Sequence, residues 1–239
     1  TNVDGTTSQQ TVTTDAAGKA VVRVTSTKAG EATIAATVGG TAISGSPVTV
    51  TFVAGPVDHD KSRLEVTKDG AIADGVDYNE ATATIVDAND NPIAGQDVVF
   101  DITNVDGTTS QQTVTTDAAG KAVVRVTSTK AGEATIAATV GGTAISGSPV
   151  TVTFVAGPVD HDKSRLEVTK DGAIADGVDY NEATATIVDA NDNPIAGQDV
   201  VFDITNVDGT TSQETVTTDA AGKAIVRVTS TKAGEATIA

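Results

Sequence analysis

The sequence repeats itself. The run Thr-Asn-Val-Asp-Gly-Thr-Thr-Ser-Gln begins at Thr1, again at Thr103 and again at Thr205, a period of 102 residues. Only two positions break the pattern across the 239 residues: Gln112 becomes Glu214 and Val123 becomes Ile225. Solenoid repeats run to about 20–50 residues, because each unit borrows part of its core from a neighbour. A period of 102 residues is the length of a domain that folds around its own core. The chain therefore reads as a file of separate domains, with copy number setting its length.

Each copy reads as all-β. Thr and Val are abundant, and a branched Cβ suits a pleated surface. Leu occurs only at Leu64 and Leu166, which argues against helical bundles. Apolar residues alternate with polar ones at Leu64 and Val66, at Ala83 and Ile85, and at Val98, Phe100 and Ile102. The same alternation returns at Val124 and Val126, from Ala134 to Val140, and from Val150 to Phe154, with a weaker strand over 111–116. Turn signals stand between them, among them Asn89-Asp90-Asn91-Pro92, Asp106-Gly107 and Gly141-Gly142. About seven short strands per copy predict tandem immunoglobulin-like antiparallel β-sandwich domains.

The break between copies is expected at Ala54-Gly55-Pro56 and Ala156-Gly157-Pro158, where Pro removes a donor and Gly interrupts a strand. This frame makes 1–55 the C-terminal part of one domain, 56–156 a complete domain, and 157–239 a domain lacking its last strand. The parent chain is expected to continue beyond both ends.

Two segments carry a resemblance. Val86-Asp87-Ala88-Asn89-Asp90-Asn91-Pro92-Ile93-Ala94-Gly95, leading into Val98-Val99-Phe100, is one; Thr115-Thr116-Asp117-Ala118-Ala119-Gly120-Lys121-Ala122, followed by Thr129-Lys130-Ala131-Gly132, is the other. Together they resemble the bacterial Ig-like domain of group 1, stacked in the passengers of intimin/invasin-type inverse autotransporter adhesins. The resemblance covers the whole repeat. Asp90 departs from it, standing where the family has Gly, and a local change of turn geometry is expected there. The resemblance implies an outer-membrane protein with a β-barrel anchor, a rod of repeats at the bacterial cell surface, and a distal domain that binds a receptor.

Catalytic chemistry finds no foothold. There is no Cys, and the formal charge of −17 with a pI near 4.2 opposes nucleic acid and anionic membranes. His59 and His161 recur with Ser62 and Ser164 nearby, but a linker serine with no orienting group is a poor nucleophile, and both histidines read as solvated junction residues. Lys121 and Lys130 read as solvated turn residues, and Tyr78 as a half-buried residue just before a strand. The Asp87–Asn91 run opens like a calcium loop but has Pro92 at the sixth position and Val98 at the twelfth, so it reads as an Asx-rich turn.

No cofactor is expected. The one cation candidate is Ca²⁺ at the domain junction, on Asp58 and Asp60 and again on Asp160 and Asp162, with Asp74, Asp77 or Asp106 approaching. The functional expectation is a non-enzymatic stalk that projects a distal binding domain, supporting adhesion or biofilm formation. Its partners are then the neighbouring repeats, with a host-cell or biofilm component bound by that distal domain, and neither nucleic acid nor membrane insertion is involved. The rival reading makes the repeats themselves binding modules, for a host surface or for each other, strengthened by multivalency.

Overall fold

The computed structural model describes all residues, 1–239, and contains strands but no helix. The central copy has nine strands: β1 (Arg63–Lys68), β2 (Ala71–Ile72), β3 (Tyr78–Thr84), β4 (Asp97–Thr103), β5 (Thr109–Thr115), β6 (Lys121–Thr127), β7 (Gly132–Val140), β8 (Thr143–Ala144) and β9 (Val150–Val155). One sheet has the order β6-β3-β1 and the other β2-β9-β7-β4-β5, with the short β8 pairing β7. All pairs are antiparallel except β9 with β2.

The two sheets close on a single core. Leu64, Ala81, Ala83, Val124 and Val126 from the first sheet meet Val98, Phe100, Ile102, Ile136, Val152 and Phe154 from the second. Apart from Ala81, these are residues whose alternation marked the strands, since a period of two places them on one face; Val66, which also marked β1, is 36% exposed. Phe100 and Phe154 are the largest fully buried side chains of this copy.

Where strands depart from the expected pattern, the cause is local. β3 starts at Tyr78, earlier than apolar alternation indicates, because its second residue is the fully buried Asn79. The Asn79 side chain accepts from Ala71 N–H at 2.9 Å and donates to Thr153 C=O at 2.9 Å. It stitches the step at which the chain leaves β1 in one sheet for β2 in the other. β5 carries no apolar alternation at all. It forms because Asn104 N–H donates to Thr108 C=O at 2.8 Å and the Asp106 carboxylate accepts from Thr108, closing a hairpin that delivers Thr109–Thr115 alongside β4.

The outer copies show the weight of the last strands. Leu64 is 3% exposed, whereas its counterpart Leu166, in a copy that reaches only Ala239, is 41% exposed. That copy retains a smaller core of Ala183, Ala185, Phe202, Ile204, Ala224 and Val226. In the first copy, Gly30–Ile34 pairs with Val48–Phe52. The chain exposes 14231 Å². A compact globule of this mass exposes about 9,900 Å², so the chain is not packed as one globule.

Candidate functional site

The joint between copies is where polar side chains converge. At the first joint the Asp87 carboxylate is 3% exposed and accepts four hydrogen bonds. Oδ1 takes the N–H groups of Asn89 and Asn91 at 2.8 and 2.9 Å, which shapes the turn. Oδ2 takes Asn91 Nδ2 at 2.8 Å and the linker's Gly55 N–H at 2.7 Å. Val57 then forms a β-bridge with Asp87, so the linker is sewn to the loop instead of hanging free.

Asn91 completes the clamp by reaching into the preceding copy. Its Oδ1 accepts from Ala29 N–H at 2.8 Å and its Nδ2 donates to Thr27 C=O at 2.9 Å. Ser26 prepares that surface: its hydroxyl donates to Lys28 C=O and accepts from Lys28 N–H, which fixes the receiving turn. The second joint repeats the arrangement. Asn193 Oδ1 accepts from Ala131 N–H at 2.8 Å, its Nδ2 donates to Thr129 C=O at 3.0 Å, and Asp189 accepts from Gly157 N–H at 2.8 Å. There Asn191 Nδ2 adds a bond to Ala73 C=O at 2.9 Å.

Asp90 stands where the resemblance places Gly. Asp90 itself adopts φ +62, and Asp192 φ +64, the left-handed conformation that glycine takes most cheaply. Lys61 braces the loop, donating to Ala88 C=O at 2.8 Å and meeting Asp90 Oδ2 at 3.0 Å.

The two segments singled out in the sequence lie against each other. Gly120 C=O accepts from Ile85 N–H at 2.8 Å, and Thr116 Oγ1 donates to Ile93 C=O at 2.7 Å. Asp117 caps its own turn through Ala119 N–H and Lys121 N–H. Gly120 has φ +72, and a Cβ there would lie 2.5 Å from Ile85 O.

Residues 61–155 and 163–239 match the bacterial Ig-like domain (group 1). The chain belongs to that family. The group 1 Ig-like repeats here are 35% identical over 194 residues to the inverse autotransporter adhesin YeeJ of Escherichia coli K12, covering 78% of this chain and 8% of YeeJ. They are 32% identical over 174 residues to intimin of Citrobacter freundii, covering 72% of this chain and 18% of intimin. The chain thus spans under a fifth of either relative. The solved structure of invasin, described as a bacterial integrin-binding protein, aligns with a TM-score of 0.59 at 28% identity, over 94% of this chain and 45% of that one.

Within the group 1 Ig-like repeat, several residues stand elsewhere than their sequence reading. Ser62 is fully buried, not on a mobile linker: its hydroxyl bridges Val86, accepting from N–H at 3.1 Å and donating to C=O at 3.3 Å. Ser164 bridges Val188 in the same way. His59 is half-buried, with Nε2 3.1 Å from Val140 O, while His161 is exposed. Lys121 and Lys130 are exposed. Tyr78 lies within β3, its ring between Lys68 Nζ at 4.0 Å and Arg125 Cζ at 4.5 Å, a cation–π bridge across three strands.

The proposed cation ligands are spent locally. Asp58 Oδ1 accepts from Asp60 N–H and Lys61 N–H, and Asp160 does the same for Asp162 and Lys163. Asp74 accepts from Val76 and Asp77 N–H, Asp77 pairs with Lys68, and Asp106 holds Thr108. Asp60 and Asp162 are exposed, and nowhere do three acidic or imidazole groups converge into a cation cradle. Polar atoms at the joint are satisfied by protein: no buried side-chain polar atom of the chain is left without a partner.

The same geometry sets the response to acid. The Asn91 amide, against burial and together with the Gly55, Asn91 and Asn89 N–H groups, holds Asp87 well below the usual carboxylate range. For Asp189 burial works in the opposite direction, but the Asn193 amide and backbone donors prevail. Asp179 is lowered to about 2, chiefly by Lys170. A carboxylate depressed in the folded state stabilises fully above its unfolded value of about 4, and that stability is lost as pH falls through the folded value. The melting temperature is therefore expected to hold from neutrality to about pH 4 and to fall steeply below it. Asp87→Asn is expected to make the acid limb shallower. Thermal melts by far-ultraviolet circular dichroism check this; a melting temperature level down to pH 2 would contradict it.

Proposed function

We propose that these repeats are spacer units in the rod of a bacterial surface adhesin, dividing at residues 55/56 and 156/157, which project a binding domain outside this chain from the outer membrane. The carrying observation is the clamp of Asp87 and Asn91 on Gly55, Thr27 and Ala29, repeated by Asp189 and Asn193 on Gly157, Thr129 and Ala131. A binding module needs a presented surface. A rod needs fixed joints, and here the buried Asp87, Asn91, Asp189 and Asn193 are spent on them. Protein hydrogen bonds hold this joint. Adhesin relatives support the cell-surface setting, and a charge of −17 opposes nonspecific clustering of rods at low salt. Catalysis has no part in this reading.

Small-angle X-ray scattering of this chain tests the proposal. The expected maximum dimension is roughly 100 Å, at about 35–40 Å per full sandwich, with and without Ca²⁺. Lengthening only with Ca²⁺ would return the joint to Asp58 and Asp60. A compact particle would overturn the rod and favour binding by the repeats themselves.

A further inference from the structure

Four strand edges flank the central sandwich, and three are guarded. β1 carries Arg63, Glu65 and Lys68; β6 carries Lys121 and Arg125; β2 is two residues long. Charge and brevity are how native sheets discourage pairing with other chains. The fourth edge, β5, is different. Thr109-Ser110-Gln111-Gln112-Thr113-Val114-Thr115 is seven residues long, has no charge and no proline, and pairs only with β4. Six of its seven residues are exposed.

The phase of the ladder shows what this edge offers. Asn104 N–H donates to Thr108 C=O and Thr116 N–H to Gln96 C=O, so the hydrogen-bonded pairs of β4 and β5 are the even-numbered ones, including Phe100 with Gln112. Alternation leaves the backbone N–H and C=O of Thr109, Gln111, Thr113 and Thr115 directed to the open side. Gln112 stands opposite Phe100, on the sheet face that elsewhere forms the core, yet it is exposed.

Both departures from perfect repetition fall on this flank. Val123→Ile225 lies on β6, the edge strand next to β5, and Gln112→Glu214 sits at the centre of the β5 counterpart, Thr211–Thr217. A charge on the core-side face of an edge strand is a recognised guard against edge pairing. The third copy has it and the central copy does not.

We infer that the β5 edge of the central repeat pairs, antiparallel, with the same edge of a second copy of this chain, and that Glu214 withholds the third repeat from that pairing. A second copy is the fitting occupant because a two-fold axis at Gln112 makes the strand complementary to itself. Gln111 and Thr113 then exchange two backbone hydrogen bonds across the axis. The two Gln112 residues form the close, non-hydrogen-bonded pair at its centre. Two Glu214 residues would place carboxylates face to face there. The two-fold runs the chains in opposite directions, so the pairing joins rods that meet from facing surfaces.

Sedimentation velocity of this 239-residue chain tests the inference at low salt and at about 0.5 M salt, where the screening length is only about 4 Å and self-repulsion is damped. A reversible dimer favoured by salt is expected. Gln112→Glu, a change the repeat already tolerates in its third copy, is expected to weaken it about tenfold. Thr113→Pro removes an open-side donor and is expected to abolish the dimer. Glu214→Gln opens a second edge and is expected to give assemblies longer than dimers. Tyrosine fluorescence melts, which read Tyr78 in the central copy and Tyr180 in the third together, confirm that each variant folds. A chain that stays monomeric at about 1 mM in both salts, or a dimer indifferent to Gln112→Glu, overturns the inference.

Discussion

Gly120→Ala is expected to destabilise the central sandwich by about 3–4 kcal/mol, from two sources. The left-handed backbone at φ +72 carries a Cβ only with strain. The new Cβ would also lie 2.5 Å from Ile85 O and 3.1 Å from Ile93 N. Both contacts are backbone, so no side chain can swing aside, and the Asp87–Pro92 loop would have to lift off its neighbour. Gly107→Ala is the control, because Gly107 has φ +80 but nothing within 4 Å of a Cβ. It is expected to cost about 1 kcal/mol, the strain alone. With no Trp and only two Tyr, Tyr180→Phe leaves Tyr78 as the sole reporter of the central copy in urea unfolding. Equal losses for the two glycines would show that the loop contact is not what matters.

Asn91→Ala is expected to loosen the first joint without harming the sandwich around it. The change leaves Thr27 C=O and Ala29 N–H in the preceding copy unpartnered and takes one donor from Asp87. Such losses cost about 2 kcal/mol when the stranded groups are screened from water. The chain has no Cys, so single cysteines at the exposed Thr33 and Thr135 can carry spin labels on either side of the joint. The parent is expected to give one narrow distance distribution and Asn91→Ala a broad one. Asn193→Ala, one joint further on, should leave that distribution unchanged. A distribution that stays narrow in Asn91→Ala would move joint stiffness elsewhere.

Much of the sandwich was legible because burial imposes a period of two. Leu64, Val98, Phe100, Ile102, Val124 and Ile136 announce their strands by facing one core. β5 was faint for the opposite reason: an exposed edge strand has no apolar face to advertise, and a hairpin turn places it. The beginning of β3 was hidden by Asn79, a polar residue in a core position whose partners are main-chain atoms. The joint was half legible. Asp87 and Asn91 mark a turn in any sequence, but the groups they grasp in the preceding copy, Thr27 C=O, Ala29 N–H and Gly55 N–H, are backbone and leave no trace in residue identity.

The parallel pairing of β2 with β9 has a mechanical meaning. Near its entry the chain runs through Ala71–Ile72, and it leaves through Phe154–Val155, side by side and in the same direction. Tension along the chain slides these strands past each other, so their bonds are loaded together and cannot be unzipped one at a time. Ala73 N–H on Val155 C=O, Thr153 N–H on Asp69 and Asn79 on Thr153 C=O carry the load at that seam. Resistance to a sustained pull is then set by the rate at which the seam shears, not by equilibrium stability. A complete repeat built like the central one would act as a separate fuse in series, and one that gives way would pay out roughly 300 Å of chain while its neighbours hold.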